Sequence, residues 1–131
     1  MRPVSSFSSA RDTRARGRAG ERAAGRWLRR QGFEVVATNF RAKPGEIDII
    51  AREGDTLCFI EIKARATDRF GGALAAVPVN KQQRISRAAS AYLMSSDWDG
   101  PCRFDVLGLE QRGKAWDFQL IRDAFWVGER G

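Results

Sequence analysis

The chain has 131 residues, 43% of them hydrophobic and 30% charged, with a net charge of +7. That is one domain's length, enough to hide roughly two-thirds of the unfolded surface in a core, and no apolar run reaches the ~20 residues that span a bilayer. There is no histidine and there are only two cysteines, which excludes Ser-His-Asp and Cys-His nucleophile systems and zinc sites built on His or on Cys alone.

Chemistry is left to Asp, Glu, Lys, Arg, Ser, Thr and Tyr, and sixteen acids make metal-assisted chemistry on carboxylates the first expectation. Cys58 and Cys102 have the number for one disulfide. Nothing resembles a secretory signal, so a reduced pair filling core positions is expected instead.

Residues 1–17 are rich in Ser and Arg and lack an apolar period. They are expected to form a disordered basic extension ahead of a single domain over 18–131. Residues 1–32 hold nine arginines against Asp12 and Glu21, so this segment carries the whole net charge while the rest balances. Such asymmetry points to a polyanion, nucleic acid ahead of an anionic membrane. The bland alternative is a solvated Arg-rich tail.

Residues 18–31 predict a helix. At 100° per residue Ala19, Ala23, Ala24, Trp27 and Leu28 form one apolar stripe. Arg22, Arg26 and Arg29 point away from it, and Glu21 falls at its edge. Gly32 stops the helix. Residues 33–40 predict a strand. Residues 46–52 and 56–63 predict two more, joined by a turn within Glu53-Gly54-Asp55. Residues 64–79 predict a long flexible loop. Asn80 is then expected to cap a second helix with Gln83 as its capping-box partner, and Ile85, Ala88, Ala89, Tyr92 and Leu93 as its buried face. Two strands over 103–109 and 116–122, around Gly113, complete the order α-β-β-β-α-β-β. That is an α/β domain with a central mixed sheet flanked by helices.

Strand geometry makes a sharper statement about residues 46–63. Side chains alternate, so Glu46 shares a face with Asp48, and Glu61 with Lys63. A two-residue turn at Glu53-Gly54 sets Glu46 opposite Glu61. One at Gly54-Asp55 sets Asp48 opposite Glu61 and Glu46 opposite Lys63. Both registers gather the four groups on one face, with Ile47, Ile49, Ile60 and Ile62 on the other as a core face. An odd-length loop would split them. A solvated outer face is the ordinary reading of such a pattern. Against it, three crowded acids repel one another unless a cation sits among them, and Leu57 and Phe59 on the same face suit a covered surface. Hard oxygen ligands at one spot suit Mg²⁺ or Mn²⁺, with waters completing the octahedron. A neighbouring lysine can stabilise charge on a phosphate.

At these residues the sequence resembles a family. Glu46-Ile47-Asp48 followed by Glu61-Ile62-Lys63 is similar to the PD-(D/E)xK nuclease core, though no proline directly precedes Asp48. Over a longer span, residues 45–51, 59–65, Phe70-Gly71, Lys81 and 103–106 resemble the small bacterial YraN family. That family is regarded as endonuclease-like and similar in fold to archaeal Holliday-junction resolvases. The resemblance covers about residues 18–123. It implies a restriction-endonuclease-like fold. It also implies Asp48 and Glu61 as metal-binding carboxylates, Glu21 as an added helical acid of the metal site, and Lys63 as the catalytic lysine. Glu46 is a supporting group or alternative ligand, and Asp105 is expected to be structural.

Three readings stay open. The first is a Mg²⁺- or Mn²⁺-dependent endonuclease acting on structured or branched DNA. The second is a nucleic-acid-binding protein on the same scaffold with weak or no catalysis. The third is a module outside nucleic-acid chemistry. Under the first two, Arg22, Arg26, Arg29, Lys81 and Arg84 are the phosphate contacts, DNA is the expected partner, and the location is the cytoplasm without membrane attachment. Resolvase-like relatives act as dimers, so a homodimer is carried over as an expectation.

Overall fold

The computed structural model describes residues 10–64 and 77–125. Helix α1 spans Ala10–Arg30, followed by strands β1 (Glu34–Ala42), β2 (Gly45–Glu53) and β3 (Thr56–Ala64). Helix α2 spans Val79–Ser95, and β4 (Cys102–Arg112) and β5 (Ala115–Ile121) close the order α-β-β-β-α-β-β. Of the expected 64–79 loop, residues 65–76 lie outside the described residues.

The strands form one sheet in the order β1-β2-β3-β4-β5. Neighbours are antiparallel except β3 and β4, which run parallel. A parallel neighbour needs a crossover, and the chain makes it through α2. The two helices cover opposite faces, because consecutive residues of β3 divide between them. Leu57 and Phe59 pack with Ile85, Ala88 and Ala89 of α2. Cys58 and Ile60 pack with Ala24 and Leu28 of α1. This is the architecture of a restriction-endonuclease-like α/β domain.

Helix α1 begins at Ala10 rather than at residue 18. Residues 1–9 of the expected extension lie outside the described residues, while residues 10–17 belong to a helix. That stretch is mostly Ala and Arg, which favour helix without needing an apolar stripe. The helix ends as expected. Gly32 takes φ 101°, the Gly32 N–H donates to the Arg29 carbonyl, and the Phe33 N–H donates to that of Leu28. This is the Schellman pattern, completed by Phe33 and Leu28 packing in the same core. The stripe is also as expected: Ala23, Ala24 and Leu28 are buried, and Trp27 stacks on Phe118 of β5 at 5.1 Å.

Helix α2 departs from its expected start. It begins at Val79 after Pro78, with no side-chain cap, so Asn80 lies inside the first turn. Pro78 supplies the extended residue that enters the helix. Gln82, not Gln83, ties the end down, its Nε2 donating to the Val77 carbonyl at 2.7 Å. The predicted apolar face of α2 holds: Ile85, Ala88 and Ala89 are buried, and Tyr92 and Leu93 pack beside them. Both thiols are free, but only Cys58 is a core residue, and Cys102 is exposed at the start of β4.

Asp105 is fully buried on β4. It accepts from Arg103 Nε at 2.8 Å, from Arg103 Nη2 at 2.9 Å and from the Asp123 N–H at 2.9 Å. Arg103 also reaches Glu53 at 2.7 Å, and Arg122 closes the group on Glu53 at 2.6 Å. This network links the β2–β3 turn, β4 and the chain after β5, and gives Asp105 its structural role. The hydrogen bond from Arg122, followed by that from Arg103, holds the Glu53 carboxyl down at about 2 against burial, which acts the other way.

Two predictions follow from this packing. A Cβ on Gly45 would collide with the Arg84 carbonyl of α2. Gly45→Ala must push the helix off the sheet, so it should cost about 1–3 kcal/mol, the usual range for overpacking, read as a lower Tm. Glu53 is more acidic folded than unfolded, so its stabilisation is present above its ordinary 4.5 and is lost as pH falls toward 2. An acid titration of stability should therefore be steeper over that window in the wild type than in Glu53→Gln.

Candidate functional site

The β2–β3 turn decides the register. Glu53 pairs with Thr56, so Gly54 and Asp55 form the turn. Gly54 takes φ 60°, as the first position of a II′ hairpin turn requires. Of the registers left open by the sequence, this is the one that sets Asp48 toward Glu61. Regular pairing stops one step short of them, at Ile49↔Ile60. Beyond that point the Ile62 N–H donates to Asp48 Oδ2 at 2.8 Å. A side chain has taken a backbone donor from the ladder, and β2 parts from β3.

The parting also reorients β2. Ile49 and Ala51 pack on the α1 side, whereas Ile47 joins Ile50 on the α2 side. The expected single core face of Ile47, Ile49, Ile60 and Ile62 is thus broken at Asp48, where strict alternation skips. A cavity of about 400 Å³ opens at this point. The sheet side contributes Glu46, Asp48, Glu61 and Ile62, Pro44 comes from the β1–β2 turn, and α2 contributes Lys81, Arg84 and Ile85.

The electrostatics of the cavity are those of crowded carboxylates. The Glu61 side chain is only 8% exposed, and Lys81 Nζ, 47% exposed, lies 2.6 Å from Glu61 Oε2. Burial, then the Glu61 charge, push the Asp48 carboxyl from 3.8 up to about 7. Glu46 and Glu21 add to the rise, and the Ile62 N–H opposes it. Glu46 stands at the exposed lip, 3.8 Å from Arg41 Nε.

Lys63 is half-buried on β3, two residues beyond Glu61, paired in register with Gly108 of β4. It does not line the cavity. Glu21 lies on the α1 side. Its Oε1 accepts from Asn39 Nδ2 at 3.1 Å. Asn39 has φ 52° and sits between the Thr38↔Ile49 and Phe40↔Ile47 pairs, beside Asp48. Glu21, Arg22, Arg26 and Arg29 line a second groove, of about 280 Å³, against Val35 and Thr38 of β1. The expected phosphate contacts therefore fall into two groups. Arg22, Arg26 and Arg29 lie along the α1 groove, while Lys81 and Arg84 stand over the acids.

Two positions, Asn39 and Gly45, and one pairing were not singled out from the sequence as parts of a site. Asn39 carries a signal, because Asn is depleted in strand interiors and tolerates left-handed backbone. Gly45 sets how closely α2 approaches. The pairing of Lys81 with Glu61 has no local signature, since it joins residues from β3 and α2.

Among the described residues no three acidic or Cys side chains converge on one point. The donors that meet are Asp48 and Glu61. Mg²⁺ keeps several waters and is commonly held by one or two carboxylates together with a phosphate ligand. Two hard oxygen donors in an open cavity fit that mode and do not fit an all-protein cage.

A restriction-endonuclease-like sheet carrying a Glu-x-Lys strand beside an acidic one defines the structural class. Within it, the model of the "Uncharacterised protein family UPF0102" matches residues 20–109, and the chain belongs to that family. A UPF0102 protein of Chlorobium chlorochromatii is 44% identical over 117 residues, covering 85% of this chain and 91% of its own. One of Hahella chejuensis is 47% identical over 110 residues, covering 83% and 88%. No described helix is long and apolar enough to cross a membrane.

The raised Asp48 carboxyl sets a pH dependence. The folded chain holds this proton more tightly than the unfolded one, so stability falls as pH rises from 3.8 to about 7. In metal-free buffer Asp48→Asn, which keeps an oxygen for the Ile62 N–H, should be more stable than the wild type above pH 7. The gain should vanish toward pH 3.8. Tm measured across pH in EDTA checks this, and a gain equal at both ends would place the effect elsewhere.

Proposed function

We propose that the chain is a divalent-metal-dependent endonuclease that hydrolyses phosphodiester bonds in structured or branched DNA. The observation that carries this reading is the meeting of Asp48 and Glu61 in an open cavity overlooked by Lys81 and Arg84. A carboxylate that burial, and then the charge of a neighbouring carboxylate, push up to about 7 gains most from a cation beside it. Basic side chains beside them suit the phosphate on which such a cation acts.

Asp48 and Glu61 would hold Mg²⁺ or Mn²⁺, which supplies a polarised phosphoryl oxygen and a more acidic water. Arg84, with Lys81, orients the backbone. Lys63, on the Glu61 strand, offers an ammonium for charge that builds on the phosphate as the bond breaks. Glu21, tethered by Asn39, biases Asp48 from the far side, and Glu46 does so from the lip. Arg22, Arg26 and Arg29 hold backbone along the α1 groove. A cytoplasmic location and a homodimer belong to the same proposal, since a four-way junction has two strands to cut.

A second reading, a nucleic-acid-binding protein without catalysis, is favoured by one observation. The Lys81 ammonium already neutralises Glu61, and no third acidic side chain converges with Asp48 and Glu61 among the described residues.

The test is cleavage of labelled four-way-junction, flap and single-stranded DNA with Mn²⁺. The wild type should cut the junction, and Asp48→Asn and Glu61→Gln should not. Lys63→Ala should lose about 10²–10³ in single-turnover rate, the scale of one preorganised donor, with little change in binding in Ca²⁺. A wild type that retains all three substrates in a gel and cuts none supports the second reading.

A further inference from the structure

The first turn of α2 contains no acid. Lys81 is its third residue, so an ammonium sits at the positive end of the helix, where a cation is disfavoured. What holds it there is Glu61, reached across the gap between β3 and α2 at 2.6 Å. The two partners are held differently. The Glu61 carboxylate is almost fully buried, whereas half of the Lys81 side chain is in water. The root of Lys81 is fixed, because Gly45 abuts the Arg84 carbonyl and Ile85, Ala88 and Ala89 anchor the helix. Its four-carbon stem is flexible, and about half of the side chain is exposed to solvent. Arg84, about one turn on, lines the same cavity.

We propose that Lys81 is an exchangeable counter-ion: it occupies Glu61 when no metal is bound, and a divalent cation arriving between Asp48 and Glu61 displaces it onto a backbone phosphate beside Arg84. The metal and the ammonium compete for the same carboxylate oxygen. Each metal ion bound therefore releases a cation to the substrate, and DNA affinity becomes linked to metal occupancy. The inference rests on the metal-dependent reading above and gives Lys81 a role distinct from that of Lys63.

The test uses the full chain and four proteins: wild type, Lys81→Gln, Lys81→Arg, and Arg87→Gln as a control charge on the exposed part of α2. Lys81→Gln keeps a hydrogen-bond donor for Glu61 and removes the charge. With Mn²⁺ alone, calorimetry should show Lys81→Gln binding about fivefold tighter than wild type, the upper end for one solvent-screened ion pair. Lys81→Arg and Arg87→Gln should match wild type. With a labelled DNA duplex in EDTA, Lys81→Gln should bind as wild type does. In Ca²⁺ it should bind more weakly, with a log–log salt slope shallower by about 0.9, one phosphate contact. Lys81→Arg should restore both.

A merely structural lysine would not produce this split between EDTA and Ca²⁺. Lys81→Met repeats both measurements in case the Gln variant does not fold. Unchanged Mn²⁺ affinity in Lys81→Gln and Lys81→Met, or an equal loss of their duplex affinity with and without Ca²⁺, overturns the counter-ion role and leaves the metal reading standing. A wild type that takes up no Mn²⁺ overturns the metal reading, and this inference with it.

Discussion

The hydrogen bond from the Ile62 N–H to Asp48 Oδ2 is the interaction on which the rest of the site depends. It ends the β2–β3 ladder at Ile49↔Ile60 and separates two strands that would otherwise stay zipped. The separation makes the cavity, and the same bond fixes Asp48 inside it beside Glu61. An unpaired backbone donor here would cost as much as a lost hydrogen bond. The carboxylate is therefore part of the backbone's own accounting, and the site is built into the sheet rather than placed on it.

From that break the two faces of the sheet take different tasks. On one, α2 approaches until the Gly45 backbone meets that of Arg84, which brings Lys81 and Arg84 over the acids. On the other, α1 packs through small residues and Leu28, and turns Arg22, Arg26 and Arg29 outward along β1. Asn39 connects the faces. Its left-handed backbone beside Asp48 lets the amide reach Glu21 on α1. The acids on β2 and β3 are thus covered by a helix whose cavity wall is basic, although helix and strands read separately in the sequence as a basic surface and an acidic patch.

How much of this was legible follows from the range of each interaction. Local rules place the strands, the Gly32 stop, the buried faces of both helices and, of the four groups expected in one patch, Glu46, Asp48 and Glu61 but not Lys63 at the cavity, because each depends on neighbours a few residues away. They fail at Ile47, where alternation assumes a regular strand and a side chain has broken the ladder. They fail at the start of α2, where Pro78 and Gln82 do the work that Asn80 and Gln83 were expected to do. The missing start of α1 has a different cause: its first turns carry helix propensity but no apolar period. The Lys81–Glu61 pair could not be read at all, since it joins residues 20 positions apart through the docking of α2 on β2.

The contrast between two acid-rich places separates architecture from function. Asp105 is fully buried, yet three donors satisfy it, and Glu53 beside it is held down at about 2 by Arg122 and Arg103. There the chain has matched each acid with guanidinium forks, whose planar geometry suits a permanent bond. Around Asp48 it has done the reverse. Burial and three other acids push that carboxyl up to about 7, and the cation that meets Glu61 is a half-exposed lysine on a flexible stem. A chain with fourteen basic residues beyond residue 32 had the means to neutralise Asp48 as it neutralised Asp105. Leaving a buried carboxylate unfavourable costs stability, and such a cost is concentrated where a site must still accept something from outside. The under-neutralised acids at the break in the sheet are what the proposed metal would neutralise, whereas the arginine-clamped acids leave an incoming cation no charge to meet.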